Sequence, residues 1–191
     1  MDKNIKASFD NSAGNSGERP DSVTDQSIVL VGLMGVGKTT VGRRLAKQLG
    51  LGFVDADEEI EQAAGLTVEE IFDRFGEDYF RDGERRVIAR LIEGKRQVIA
   101  TGGGAFMNEE TRALILQKAV AIWLDADIDT LVKRVSRRNT RPLLKSGDPA
   151  TILADLAAKR NPVYATAHIH IMGNDSPHEI TVDKIIKALQ R

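Results

Sequence analysis

The sequence predicts an α/β fold, a five-stranded parallel sheet with helices on both faces. Three observations predict it. Five short apolar runs rich in β-formers alternate with longer amphipathic stretches, the βαβ pattern of a parallel sheet. The first run feeds through a glycine-rich loop into a helix. Residues able to do chemistry gather where the runs end, which is where ligands collect in such sheets.

Taken in order, "IVLVG" (28–32) is the first strand and "TVGRRLAKQLG" continues the helix after the loop. "GFVDAD" (52–57) is the second strand, and "EEIEQAAG" opens another helix. Thr67 and Glu70 have capping-box spacing and start a short helix that ends near Phe75. A longer helix runs from about 77 to 94. "QVIAT" (97–101) is the third strand, followed by a helix with Asn108 as its N-cap. "AVAIWLDA" (119–126) is the fourth strand and "DIDTLVKRVSRR" a helix. Asp148 and Pro149 suit the N-cap and first position of the next helix, which ends in "AKRNPVY". "HIHIMG" (168–173) is the fifth strand, its His168 and His170 alternating along it. Ser176 and Glu179 form another capping box with Pro177 at the first position, opening the last helix.

Residues 1–27 differ from the rest. They are polar, aperiodic and too poor in apolar residues to offset ordering entropy, so a disordered tail is expected ahead of a domain at 28–191. The whole chain has 191 residues, 41% apolar and 29% charged, with net charge −1. That balance gives no reason to expect nucleic acid or an anionic membrane as partner. No stretch is apolar enough for a membrane span, no signal-peptide core is seen and there is no cysteine, so a cytoplasmic protein is expected.

The strongest motif is "GLMGVGKT", Gly32 to Thr39, matching G-x-x-x-x-G-K-[ST] between a strand and a helix. Gly35 and Gly37 let backbone N–H groups curl around an anion, and the helix N-terminus favours it further. Lys38 can reach the β- and γ-phosphates, and the Thr39 hydroxyl can ligate Mg²⁺. With Val36 and Thr40 these residues form the expected ATP site of a P-loop NTPase. No N-K-x-D base-reading motif accompanies it, and the strand at 97–101 ends in threonine and glycines where motor ATPases place an acid. A small kinase with a differently built metal site fits better than a switch or motor.

The other motifs are less specific when taken alone. "VDAD" puts Asp55 and Asp57 two apart at a strand mouth, where one carboxylate can serve a metal and the other a substrate. Asp57 fits equally well as the N-cap of the following helix. Arg81 and Glu84 are three apart on one helical face, as in any surface ion pair. Arg141 precedes Pro142 and is biased to extended backbone, a suitable place for a lid arginine. Arg160 near a helix end fits a dipole interaction, and Tyr164 fits packing. The three histidines show no ligand spacing.

Together, "GLMGVGKTTVGRRLA", "FVDADEEIE", "IFDRFGEDYFRDGE", "TGGGA", "RVSRRNTRPLL" and "AKRNPVY" fall in the order seen in shikimate kinases, and residues 28–190 resemble that family. The resemblance implies a nucleoside-monophosphate-kinase-like fold with strand order 2-3-1-4-5, a substrate-binding region at about 57–94 and a mobile lid at about 136–148. It implies phosphorylation of the 3-hydroxyl of shikimate by ATP with Mg²⁺, in aromatic amino-acid biosynthesis. By resemblance Asp55 supports Mg²⁺ through water, Asp57 orients the substrate hydroxyl, and Arg81 and Arg160 hold the substrate carboxylate. Arg134 lies against adenine, and Arg141 covers the transferring phosphoryl group. Catalysis is expected from Lys38, Asp57 and Arg141. Gly102, Gly103 and Gly104 become a wall of the acceptor pocket, bare because a Cβ would intrude. A monomer acting on small molecules is implied. The alternatives are a kinase for gluconate or a nucleoside monophosphate, and an ATP-binding regulator without metabolite chemistry.

Overall fold

The computed structural model describes residues 25–136, 147–173 and 177–190. Five parallel strands form one sheet: β1 (Ser27–Val31), β2 (Gly52–Asp55), β3 (Gln97–Ala100), β4 (Ala119–Asp125) and β5 (Ile169–Met172). Their spatial order is β2-β3-β1-β4-β5, as the resemblance implied. β1 lies between β3 and β4, and the side chains of Ile28, Val29, Leu30 and Val31 are fully buried. Burying each such side chain is worth roughly 1.5–3 kcal/mol, so the central strand anchors the fold.

Among the described residues seven α-helices connect and cover the strands: α1 (Lys38–Leu49), α2 (Ala56–Ala64), α3 (Val68–Glu93), α4 (Glu109–Lys118), α5 (Ile128–Ser136), α6 (Pro149–Tyr164) and α7 (His178–Leu189). α1 turns Val41, Gly42, Leu45 and Ala46 inward. A Cβ on Gly42 would come within 2.5 Å of the Phe53 ring, so glycine lets α1 settle on β2. α3 is interrupted at Gly76, where φ is 84°. This is the break expected from the sequence between a short and a long helix, and a glycine tolerates that φ without strain. Ile60, Ile71 and Phe80 form a second, smaller apolar cluster, which gives the α2–α3 region a core of its own.

Local chemistry sets most helix starts. The Thr67–Glu70 capping box is complete, and Asp148 accepts from the Thr151 N–H with Pro149 at the first position. Asn108 Oδ1 accepts from the Thr111 N–H at 2.9 Å. Asn108→Ala is therefore expected to cost about 1 kcal/mol, read as a lower urea midpoint with unchanged slope.

The sequence and the structure differ at several starts, and at α7 Pro177 is the N-cap where the sequence predicts the first helical position. β1 begins at Ser27, whose buried hydroxyl accepts from the Gln97 N–H. The second strand stops at Asp55, and α2 begins at Ala56 with Asp55 as its N-cap. Asp57 is thus neither on the strand nor the cap; it lies in the first helical turn. Residues 1–24 of the expected tail, Ser176, and nearly all of the expected lid lie outside the described residues. Among the described residues no helix is long and apolar enough to cross a membrane.

Candidate active site

The loop between β1 and α1 takes its shape from glycine. Gly32, Gly35 and Gly37 have φ of 135°, 82° and 99°, values that side-chain-bearing residues rarely adopt. Gly35 is also pressed from outside: a Cβ there would stand 2.8 Å from the Val135 side chain. Lys38 curls back over the loop, its Nζ donating to Gly32 O at 2.7 Å and Leu33 O at 2.9 Å. Its ammonium is thereby held at the mouth of the loop. An open cavity of about 320 Å³ lies there, with Lys38, Thr39, Thr40, Asp55, Asp57 and Arg134 among its walls.

Asp55 works with both oxygens. Oδ1 accepts the Asp57 N–H at 3.1 Å, capping α2, and Oδ2 accepts the Thr39 hydroxyl at 2.8 Å. The carboxylate on β2 is therefore tied to the hydroxyl that follows Lys38. At the neighbouring strand end, Thr101 is buried and its hydroxyl donates to Leu30 O at 3.0 Å. Threonine there laces β3 to β1, and the acid faces the loop from β2 instead.

Beyond Thr101 the three glycines each meet a different charged group. A Cβ on Gly102 would lie 2.9 Å from both Asp57 Oδ1 and Glu84 Oε1. On Gly103 it would lie 3.4 Å from Arg160 Nη1, and on Gly104 within 2.5–2.7 Å of the Arg81 guanidinium. The wall is bare because two carboxylates and two arginines crowd against it. Asp57, Arg81, Arg160 and the glycines come from four elements of the fold and meet in one place.

Arg81 is held in position from several sides. Its Nη1 donates to Glu84 Oε2 at 2.7 Å, Nε and Nη2 donate to Glu77, and the guanidinium lies 5.1 Å from the Phe80 ring centre. Glu84 is only 2% exposed, which sets this pair apart from a solvated surface bridge. Burial pushes the Glu84 carboxyl above the ordinary range, with Arg81 pulling it back and Asp57 adding to the rise. Its Oε1 has no hydrogen-bond partner among the described residues and faces Gly102.

On the nucleotide side, Arg134 Nη1 donates to Val36 O at 3.3 Å, bringing α5 onto the phosphate loop. His178, at the start of α7, also lines the cavity, with its ring against Gly37. Burial, then Arg134 and Arg44, hold its pKa below the usual histidine value. No role for it is legible in the sequence, because only the return of α7 to α1 brings it here. Tyr164, expected to pack, does pack, but its hydroxyl also donates to Gly103 O beside Arg160. His168 and His170 stay away from the cavity; they bond Ala121 N–H and Asp125 on β4. Arg141 lies outside the described residues.

The family model described as shikimate kinase matches residues 34–190. A shikimate kinase from Caulobacter vibrioides is 57% identical over 166 residues, 87% of this chain and 83% of the relative. The structure titled shikimate kinase from Acinetobacter baumannii in complex with shikimate superposes with a TM-score of 0.83 at 39% identity, over 87% of this chain and 93% of that one. A gluconokinase from Sinorhizobium meliloti superposes over 86% and 91% with a TM-score of 0.59, but at 18% identity it shares the fold alone. The chain belongs to the shikimate kinase family.

Proposed function

We propose that this chain transfers the γ-phosphoryl group of ATP to the 3-hydroxyl of shikimate. The observation that carries the reading is the bare Gly102–Gly104 wall, set between Asp57 and the guanidinium groups of Arg81 and Arg160. Two planar cations beside a backbone surface without side chains suit a small anionic alcohol, and a planar fork matches a carboxylate.

In this reading Lys38 and the loop N–H groups hold the β- and γ-phosphates, and Arg134 lies along the nucleoside. Asp57, on the first turn of α2, receives the acceptor hydroxyl and turns its oxygen toward the phosphorus. Arg81 and Arg160 fix the far end of the substrate, so attack proceeds from a preset geometry. Arg141, assigned by its motif alone, would add positive charge over the transferring group.

The donor set suits Mg²⁺. Thr39 and Asp55 present hard oxygen ligands beside the phosphate loop, and they are already joined at 2.8 Å. No cluster of three or more acidic, histidine or cysteine side chains that could cage a metal occurs among the described residues. An ion that shares one or two protein oxygens with phosphates and water fits that arrangement. Thr39 would ligate it directly and Asp55 through water. When bound, the ion neutralises phosphate charge as the bond to phosphorus is exchanged. The proposed compartment is the cytoplasm, where ATP is supplied, and the proposed working form is a monomer.

An ADP-release assay with shikimate, gluconate and AMP as acceptors tests the assignment. Shikimate is expected to exceed the others by at least about 10³-fold in kcat/KM, since only an acceptor whose carboxylate meets both arginines while its hydroxyl reaches Asp57 leaves none of these charged groups unpaired. Faster turnover of gluconate, or none with any acceptor, would overturn it.

A further inference from the structure

The glycine wall is fixed by three carbonyl groups, and they are held differently. Gly102 O accepts the Ala105 N–H at 3.3 Å, and Gly104 O accepts the Met107 N–H at 3.0 Å. Both bonds close the 3₁₀ turn Ala105–Met107, which Arg112 buttresses through Phe106 O and Met107 O. Gly103 O, in the middle, is held by side chains from α6. Arg160 Nη1 donates to it at 3.1 Å, and the Tyr164 hydroxyl donates to the same oxygen. A carbonyl oxygen has two lone pairs and accepts both.

The two donors are not equivalent. Tyr164 is 1% exposed, its ring stacked 6.4 Å from Phe106 and set 6.0 Å from Trp123, so packing from two directions fixes the hydroxyl. Burial pushes its pKa up to about 12, so it remains a donor at any ordinary pH. Arg160 has a partly buried bond and a guanidinium that the substrate carboxylate would claim. If Arg160 alone held Gly103 O, turning to the substrate would strand that carbonyl, and an unpaired polar group is costly. Three adjacent glycines have no side-chain packing to keep the peptide in place. In a trans peptide, fixing Gly103 C=O also fixes the Gly104 N–H, which points the opposite way.

We propose that Tyr164 is a positioning residue for shikimate: its hydroxyl holds the Gly103–Gly104 peptide in place and keeps the Gly103 carbonyl satisfied while Arg160 turns to the substrate carboxylate. This rests on the Gly102–Gly104 wall being the shikimate surface. The role is specific to the hydroxyl, because the ring alone would supply the packing.

Tyr164→Phe keeps the ring and removes the donor. In the free variant Arg160 still serves Gly103 O, so stability should hold; the loss should appear only when shikimate draws Arg160 away. KM for shikimate is expected to rise about five- to tenfold, the factor of one hydrogen bond, with KM for ATP within about twofold. Urea unfolding followed by the fluorescence of Trp123, next to the altered ring, should give an almost unchanged midpoint. An unchanged KM for shikimate, parallel rises for both substrates, or a large loss of stability would each overturn the proposal. If the unaltered protein does not phosphorylate shikimate, the parent reading fails instead, so the two failures are distinguishable.

Discussion

Replacing Lys38 by methionine is expected to lower kcat by about 10²–10³-fold or more, with the circular dichroism spectrum unchanged. Methionine has similar length and helix propensity, so α1 should still start after Gly37. What disappears is the ammonium that the Gly32 and Leu33 carbonyls hold at the mouth of the loop. Lys38 itself lines the open cavity, so water can enter where its ammonium stood and bond those carbonyls. Charge on the phosphoryl group then develops without its nearest fixed cation, and the barrier to transfer rises. Near-normal turnover in a folded Lys38→Met would remove Lys38 from the mechanism.

Arg81→Ala should act on the other substrate. KM for shikimate is expected to rise about 10–100-fold, as for loss of a charge-assisted pair, while KM for ATP changes little. Equal effects on both would refute a role at the carboxylate. Arg81→Lys should restore little, because an ammonium cannot offer the same fork to Glu84, Glu77 and a substrate. The variant also carries a pH signature through Glu84. That carboxyl is already raised by burial, and Arg81 is the main group lowering it. Without Arg81 it should rise further. A raised folded value means the folded protein holds the proton more tightly than the unfolded chain does. Stability should therefore fall as pH climbs from the ordinary glutamate range through the folded value, over a wider span in Arg81→Ala than in the parent. Urea midpoints across that range check the sign, and a midpoint rising with pH would contradict it.

Much of this could be read from the sequence because the determinants are local. The phosphate loop needs glycines at 35 and 37 with Lys38 and Thr39 beside them, and that spacing shows in a linear string. The break at Gly76, the Asn108 and Asp148 caps and the alternation of strands are equally local. The exchange between Asp55 and Asp57 was not legible, since either acid can cap a helix and only the backbone path decides which does. Nor could spacing distinguish the Arg81–Glu84 pair from a solvated one. Its weight comes from the burial of Glu84 under the glycine wall. Tyr164 and His178 were missed as site residues for a related reason. Each reaches the cavity region only when a helix late in the chain packs against a loop more than sixty residues earlier.

The central claim is that shikimate lies against Gly102–Gly104, between Asp57 and two arginines. A crystal structure with ADP, Mg²⁺ and shikimate tests it most directly. The expected result has the carboxylate bonded to Arg81 and Arg160, the ring against the three glycines, and the 3-hydroxyl beside Asp57 on the side facing Lys38. A carboxylate bound away from both arginines, or a hydroxyl other than the third facing the phosphate loop, would contradict the account.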